Sequence, residues 1–236
     1  MLIIADARLP EEALKNLSLH GEVVRFASRN ITYASISGHP DIFFCKTPGQ
    51  LIAAPNAPSE ICRRLKQCNI TMVSGNKPVA AQYPNSAIYN AFVNRDCLIH
   101  NLNYTDKTII EACKDLAAIH VKQAYTRCNL VEAGGLYITS DKGVEKVLKG
   151  LPLDVFYVDP GRILLTGENH GFFGGCTGLA DNRLFVTGRI KSLPEWGELQ
   201  KELTRRQINV VELYDGPLVD GGSILFLQTS DSSPKL

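Results

Sequence analysis

One property limits what this chain can fold into more than any other: it repeats a single phrase, a short strand, a turn, a return strand and the start of a helix, five times. The clearest copy reads as strand 128–131, turn 132–135 and return strand 136–139, with Ser140 or Asp141 placed to cap a helix. Further copies pair 41–45 with 51–54, 86–90 with 97–100, and 176–179 with 184–187. The fifth hairpin strand, 223–227, has no return strand after it, and the apolar run 2–5 at the start of the chain is the partner it needs. A ring closed by the first and last strands follows. The return strands, centred on Ile3, Ile52, Leu98, Tyr137 and Phe185, recur at a spacing of roughly 40 to 50 residues, within the range of repeat architectures.

Each return strand leads into a helix and a third strand. Helices are expected after Pro10, Ser59, Thr105, Asp141 and Ser192, with Ala13, Leu14 and Leu17, then Ile61 and Leu65, then Ile109, Ile110, Cys113, Leu116 and Ala117 as apolar stripes. Third strands are expected at 22–26, 70–73, 119–122, 154–158 and 208–213, with an added edge strand at 31–36 and a ribbon at 161–166. A doubly wound parallel sheet also alternates strands and helices, but it has no use for a hairpin between successive units. The expected architecture is therefore α/β: one domain over 1–228 built of five β-β-α-β units in a closed, five-fold pseudo-symmetric ring. Residues 229–236 read as a flexible polar tail.

Composition excludes more than it selects. A net charge of +1 with no basic run gives no reason to expect nucleic acid, and no apolar run approaches the ~20 residues of a membrane helix. Seven cysteines, an odd number without a Cys-x-x-Cys, together with an opening strand that carries Asp6 and Arg8 behind it, point to a reducing cytoplasm. No His or Cys pair has ligand spacing, so neither a metal nor a cofactor is expected. The fragment from Gly171 to Gly178 enters a hairpin rather than a helix and has no Gly-Lys-Ser/Thr after it, which rules out a phosphate loop.

Five β-β-α-β units of this size resemble the pentein, or guanidino-group-modifying, fold, an α/β propeller. It includes arginine and agmatine deiminases, dimethylarginine dimethylaminohydrolases, amidinotransferases and the non-enzymatic translation initiation factor six. Tyr125-x-x-Cys128, Gly171-Phe-x-Gly-Gly175 and Leu218-x-Asp-x-Gly-Ser223 look most like a small uncharacterised bacterial family assigned to that fold. The resemblance implies that the hairpin strands line a central axis, with Asp41, Ser86, Cys128, Cys176 and Ser223 at equivalent positions. It also implies a nucleophilic cysteine in the last unit, whereas the matching stretch from Asp220 to Phe226 has none.

Cys128 is the remaining candidate nucleophile, with Arg127 beside it to favour a thiolate, although a strand cysteine also serves as a small buried hydrophobe. His170, just ahead of the fourth hairpin, is the candidate proton carrier, and His39 a weaker one. Asp41 and Asp220 are candidate ligand carboxylates, or turn-holding residues. Asn85, Asn129, Cys176 and Ser223 complete the expected ligand-binding set. Two functions stay open. One is a binding protein for a small polar or cationic ligand, or a partner, without last-unit cysteine chemistry. The other is a cysteine-dependent hydrolase or amidinotransferase acting on a guanidine or amide. Ribosome association, as in the initiation factor, is not excluded by the sequence, which shows no strongly charged face.

Overall fold

The computed structural model describes residues 1–228; the tail read at 229–236 lies outside them. In chain order the elements are β1 (Leu2–Asp6), α1 (Glu11–Ser18) and β2 (Glu22–Phe26), then β3 (Phe44–Lys46), β4 (Leu51–Ala53), α2 (Ser59–Gln67) and β5 (Met72–Ser74). Next come β6 (Phe92–Val93), β7 (Cys97–His100), α3 (Lys107–Ala112) and β8 (Ala117–His120), followed by α4 (Thr126–Asn129), β9 (Leu130–Ala133), β10 (Leu136–Thr139), α5 (Lys142–Lys149) and β11 (Asp154–Tyr157). The chain continues through β12 (Ile163–Leu164), β13 (Thr177–Ala180), β14 (Arg183–Val186), α6 (Trp196–Arg205), β15 (Asn209–Glu212), β16 (Leu218–Val219) and β17 (Leu225–Leu227).

Five three-stranded sheets share one topology: a hairpin strand antiparallel to a central strand, which is parallel to the strand returning from the helix. The orders are β17-β1-β2, β3-β4-β5, β6-β7-β8, β9-β10-β11 and β13-β14-β15. In the first sheet the hairpin strand comes from the far end of the sequence, with Leu2 opposite Leu227 and Ile4 opposite Leu225. The parallel pair β12-β16 forms a sixth, two-stranded sheet.

Central strands are buried on both faces, which is why they read as unbroken apolar runs rather than alternating ones. Each helix lays a narrow apolar stripe on its sheet: Ala13, Leu14 and Leu17 from α1, Ile61 and Leu65 from α2, Val144 and Leu148 from α5, Leu199 and Leu203 from α6. Two hairpins close through two-residue turns with positive φ at both positions, Gly134-Gly135 (62° and 84°) and Asp181-Asn182 (48° and 56°). That twist matches the flanking strands.

Several local expectations shift. Residues 31–36 form no edge strand; Ala34–Ile36 is a 3-10 turn, held by Arg8, which donates to the Ala34 and Ser35 carbonyls. The helix after Thr105 starts at Lys107 under an Asp106 cap and ends at Ala112, so Ala117 lies in a strand. The last helix starts at Trp196 rather than after Ser192, which closes a separate 3-10 turn. Most consequential for function, all five hairpin strands start later than expected: Asp41, Cys128 and Cys176 sit on 3-10 or α-helical turns just ahead of β3, β9 and β13, and Ser86 and Ser223 lie in loops ahead of β6 and β17. Among the described residues no helix is long and apolar enough to cross a membrane.

Candidate functional site

The turns that precede the hairpin strands bring polar side chains to one buried point. Helical turn α4 is anchored by Thr126, whose hydroxyl lies 3.0 Å from the Asn90 carbonyl and 2.8 Å from that of Ile99, and accepts from the Phe92 amide. Asn90, two residues ahead of β6, accepts from the Cys128 amide at 3.1 Å, and its side-chain amide lies 3.2 Å from both the Cys128 Sγ and the Asp41 carbonyl. The Cys128 thiol lies 3.1 Å from Asp41 Oδ2, and the Ser223 hydroxyl 2.7 Å from the same oxygen. Four of the five hairpin starts thus touch Asp41 or one another.

Burial sets the protonation states. Asp41 is fully buried, and this desolvation raises its carboxyl to about 6 despite the opposing hydrogen bonds of Ser223 and Cys128. Burial, then the neighbouring Asp41 and Asp220, pushes the Cys128 thiol well above its ordinary value. The expected thiolate beside Arg127 is therefore not the resting form: the Arg127 guanidinium turns to the other side of the turn, where it donates to the Leu130 carbonyl at 3.2 Å.

A cavity of about 250 Å³ opens above this cluster, lined by Cys128, His39, Asp220, Tyr33, Tyr125, Glu168, His170 and Phe172 among others. Asp220 accepts from the Phe172 and Gly222 amides at 2.8 and 3.0 Å. Its Oδ1 is 3.8 Å from His39 Nε2, and neither nitrogen of this buried imidazole has a hydrogen-bond partner among the described residues. Burial lowers His39 and raises Asp220, while each draws the other back toward its charged form. Tyr125 and Tyr33 share a hydroxyl contact at 2.9 Å, and Tyr125 reaches Ser86 at 2.6 Å.

The glycine motif has a steric cause here. A Cβ on Gly171 or Gly175 would strike the Asp220 side chain, and one on Gly174 would meet the backbone of α4. These glycines let the strand turn close around the carboxylate and the cysteine turn.

Of the residues singled out from sequence, Cys128, Asp41, Asp220 and Ser223 converge, and His170 lines the same cavity with its Nδ1 2.9 Å from the Gly171 carbonyl. The other three stand apart. Cys176 is buried in an apolar cluster with its thiol toward the Phe172 carbonyl. Asn129 spends its side chain on the Tyr125 carbonyl and Ser140, and Asn85 is exposed beside a different hollow. Sequence reading missed Asn90, whose signal is its register two residues ahead of β6, matching Cys128 ahead of β9 and Ser223 ahead of β17. It also expected no metal ligands. His39, Asp41 and Cys128 nevertheless place one donor atom each within 4.8 Å of one another, a set suited to a zinc-like ion, brought together only by the fold.

Repeated sheets with a polar cluster at the hairpin starts define the class: this is the mixed α/β fold of the guanidino-group-modifying, pentein proteins. Over 97% of its length the chain superposes on 94% of an amidinotransferase of saxitoxin biosynthesis from Microseira wollei, with a TM-score of 0.58 at 12% identity. It also covers 91% of the Pseudomonas aeruginosa dimethylarginine dimethylaminohydrolase, solved with citrulline, with 89% of its own length (TM-score 0.52, 11% identity). For the inosamine-phosphate amidinotransferase of Streptomyces griseus, 92% of this chain aligns with 78% of that one (TM-score 0.53, 13% identity). By sequence the chain belongs to a family of unknown function, DUF6873, which it matches over residues 4–225. No curated protein matches it.

Proposed function

We propose that the five sheets close into a ring and that the cavity over Cys128 binds a small, flat cation of the guanidine or amidine class. Closure is supported by the pairing of β1 with β17 and by the larger hollow below, to which all five hairpin strands contribute: Phe44, Phe92, Val131, Leu179 and Phe226 are examples. The observation that carries the ligand class is the lining. It presents two carboxylates, Glu168 and Asp220, and three aromatic rings, Tyr33, Tyr125 and Phe172, and among the described residues no Lys or Arg. Carboxylates grip a guanidinium through paired hydrogen bonds, and aromatic faces stack on its plane. Seven free cysteines suit a reducing cytoplasm.

Titration calorimetry with agmatine and benzamidine tests this, against Glu168→Gln, an exposed position whose loss leaves the buried cluster intact. Removing a charge-assisted contact weakens binding by roughly tenfold or more. If anions of similar size bind this cavity instead, or if Glu168→Gln leaves the affinity unchanged, the reading fails.

One contact favours a second reading, cysteine-dependent chemistry: the thiol at 3.1 Å from a carboxylate of pKa about 6. A bound cation offsets the burial that keeps the thiol neutral. Asp41 then takes the thiol proton, Sγ bonds to the amidine carbon, and the C–N bond to the departing amine breaks as that proton is passed to its nitrogen. An adduct on Cys128 by mass spectrometry after incubation with a guanidine would separate this from binding alone.

A further inference from the structure

A hollow of about 580 Å³ lies along the hairpin strands, apart from the cavity over Cys128, and binds nothing in the function proposed above. Its lining mixes apolar and aromatic side chains with polar ones, and Lys46 and Arg127 are two of the cations that face it. The Lys46 ammonium is fixed by the Phe226 carbonyl at 2.8 Å, and the Arg127 guanidinium by the Leu130 carbonyl. Neither has an ion pair among the described residues. Two further charges balance at the rim, exposed Arg95 and Asp96, and Glu132 turns its carboxylate to the Gly135 amide at 2.6 Å. From this we infer that the hollow is a second ligand site, for a small phosphate- or carboxylate-bearing molecule with an apolar or aromatic body, its anionic end held between Lys46 and Arg127.

The physical case is that two like charges share one recess. Walls of low dielectric focus their field into it, and an anion between them relieves the repulsion. Consistent with that strain, the Lys46 ammonium is pushed below its ordinary value by burial and then by Arg127. Arg127 offers a planar fork to an oxyanion and Lys46 a point charge, while the rings accommodate an apolar body.

The test is titration calorimetry of the whole chain with phenyl phosphate and inorganic phosphate. Phenyl phosphate should bind, more tightly than inorganic phosphate and more weakly as salt is raised. Lys46→Met should lower the affinity by about tenfold or more, Lys46→Arg should retain it, and Glu168→Gln, which belongs to the other cavity, should leave it unchanged. No binding of either probe, or binding indifferent to Lys46→Met, would overturn the inference. So would an affinity that depends on Glu168. Lys46 is an exposed residue whose ammonium is drawn in against the Phe226 carbonyl, and retention of affinity in Lys46→Arg separates loss of the charge from loss of the fold.

Discussion

At the scale of single residues, the properties of the site come from burial rather than from sequence neighbours. The Asp41 carboxyl titrates near 6 in the fold and at about 3.8 when free, so between those values the folded chain holds a proton that the unfolded chain has lost. Its contribution to stability therefore falls as pH rises from about 4 to about 6 and stays low above. His39, lowered from its ordinary 6.5, acts with the opposite sign, because its burial costs stability as pH falls below that value. Asp41→Asn removes only the first effect. Urea unfolding between about pH 4 and 7 should show the variant gaining on the parent by up to roughly 3 kcal/mol as pH rises, and parallel curves would mean that Asp41 titrates normally. The raised Cys128 thiol gives a second expectation. Without ligand, iodoacetamide should label it no faster than a model thiol, with no inflection below about 8.5. Arg127 next to Cys128 in sequence suggested the reverse, because adjacency in a sequence says nothing about which side of a turn each side chain takes.

Among elements, the turns ahead of the hairpin strands matter more than the strands. Periodicity found the central strands and helices, since Leu2 to Ala5 or Ile138 must be buried whatever surrounds them. It placed Cys128 and Asp41 on strands, because a single turn of helix is too short to show a period of its own. Asn90 was illegible for a related reason: β6 has only two residues, and its register is set by the Thr126 hydroxyl from the next unit. His39 meets Asp220 through contacts that span nearly the whole sequence, which no local pattern reports. The Gly171 to Gly175 segment was visible as a motif, but its cause, close approach to Asp220 and α4, was not. Gly175→Ala tests that cause. The added methyl must displace the Asp220 carboxylate, costing on the order of 1–3 kcal/mol, with weakened guanidine binding as its companion. A loss of stability without any change in binding would leave the glycine a packing role only.

For the whole molecule, the pairing of β1 with β17 joins the two ends of the described chain. Phe226 is its main anchor, 4% exposed and packed on Phe185 with ring centres 4.8 Å apart. Phe226→Ala should cost about 3–5 kcal/mol by urea denaturation, with β1 amides losing hydrogen-exchange protection first. Loss of protection spread evenly over all five sheets would instead indicate that the molecule opens only as one unit. The same pairing sets a timetable on the ribosome. The other four three-stranded sheets hold all their strands within a short stretch and can pair as they emerge, whereas β1, made before them, waits for β17 before its second edge is covered. Until then its backbone donors and acceptors stand open to other nascent chains, so the interval between the first strand and the last is when this protein most needs a chaperone.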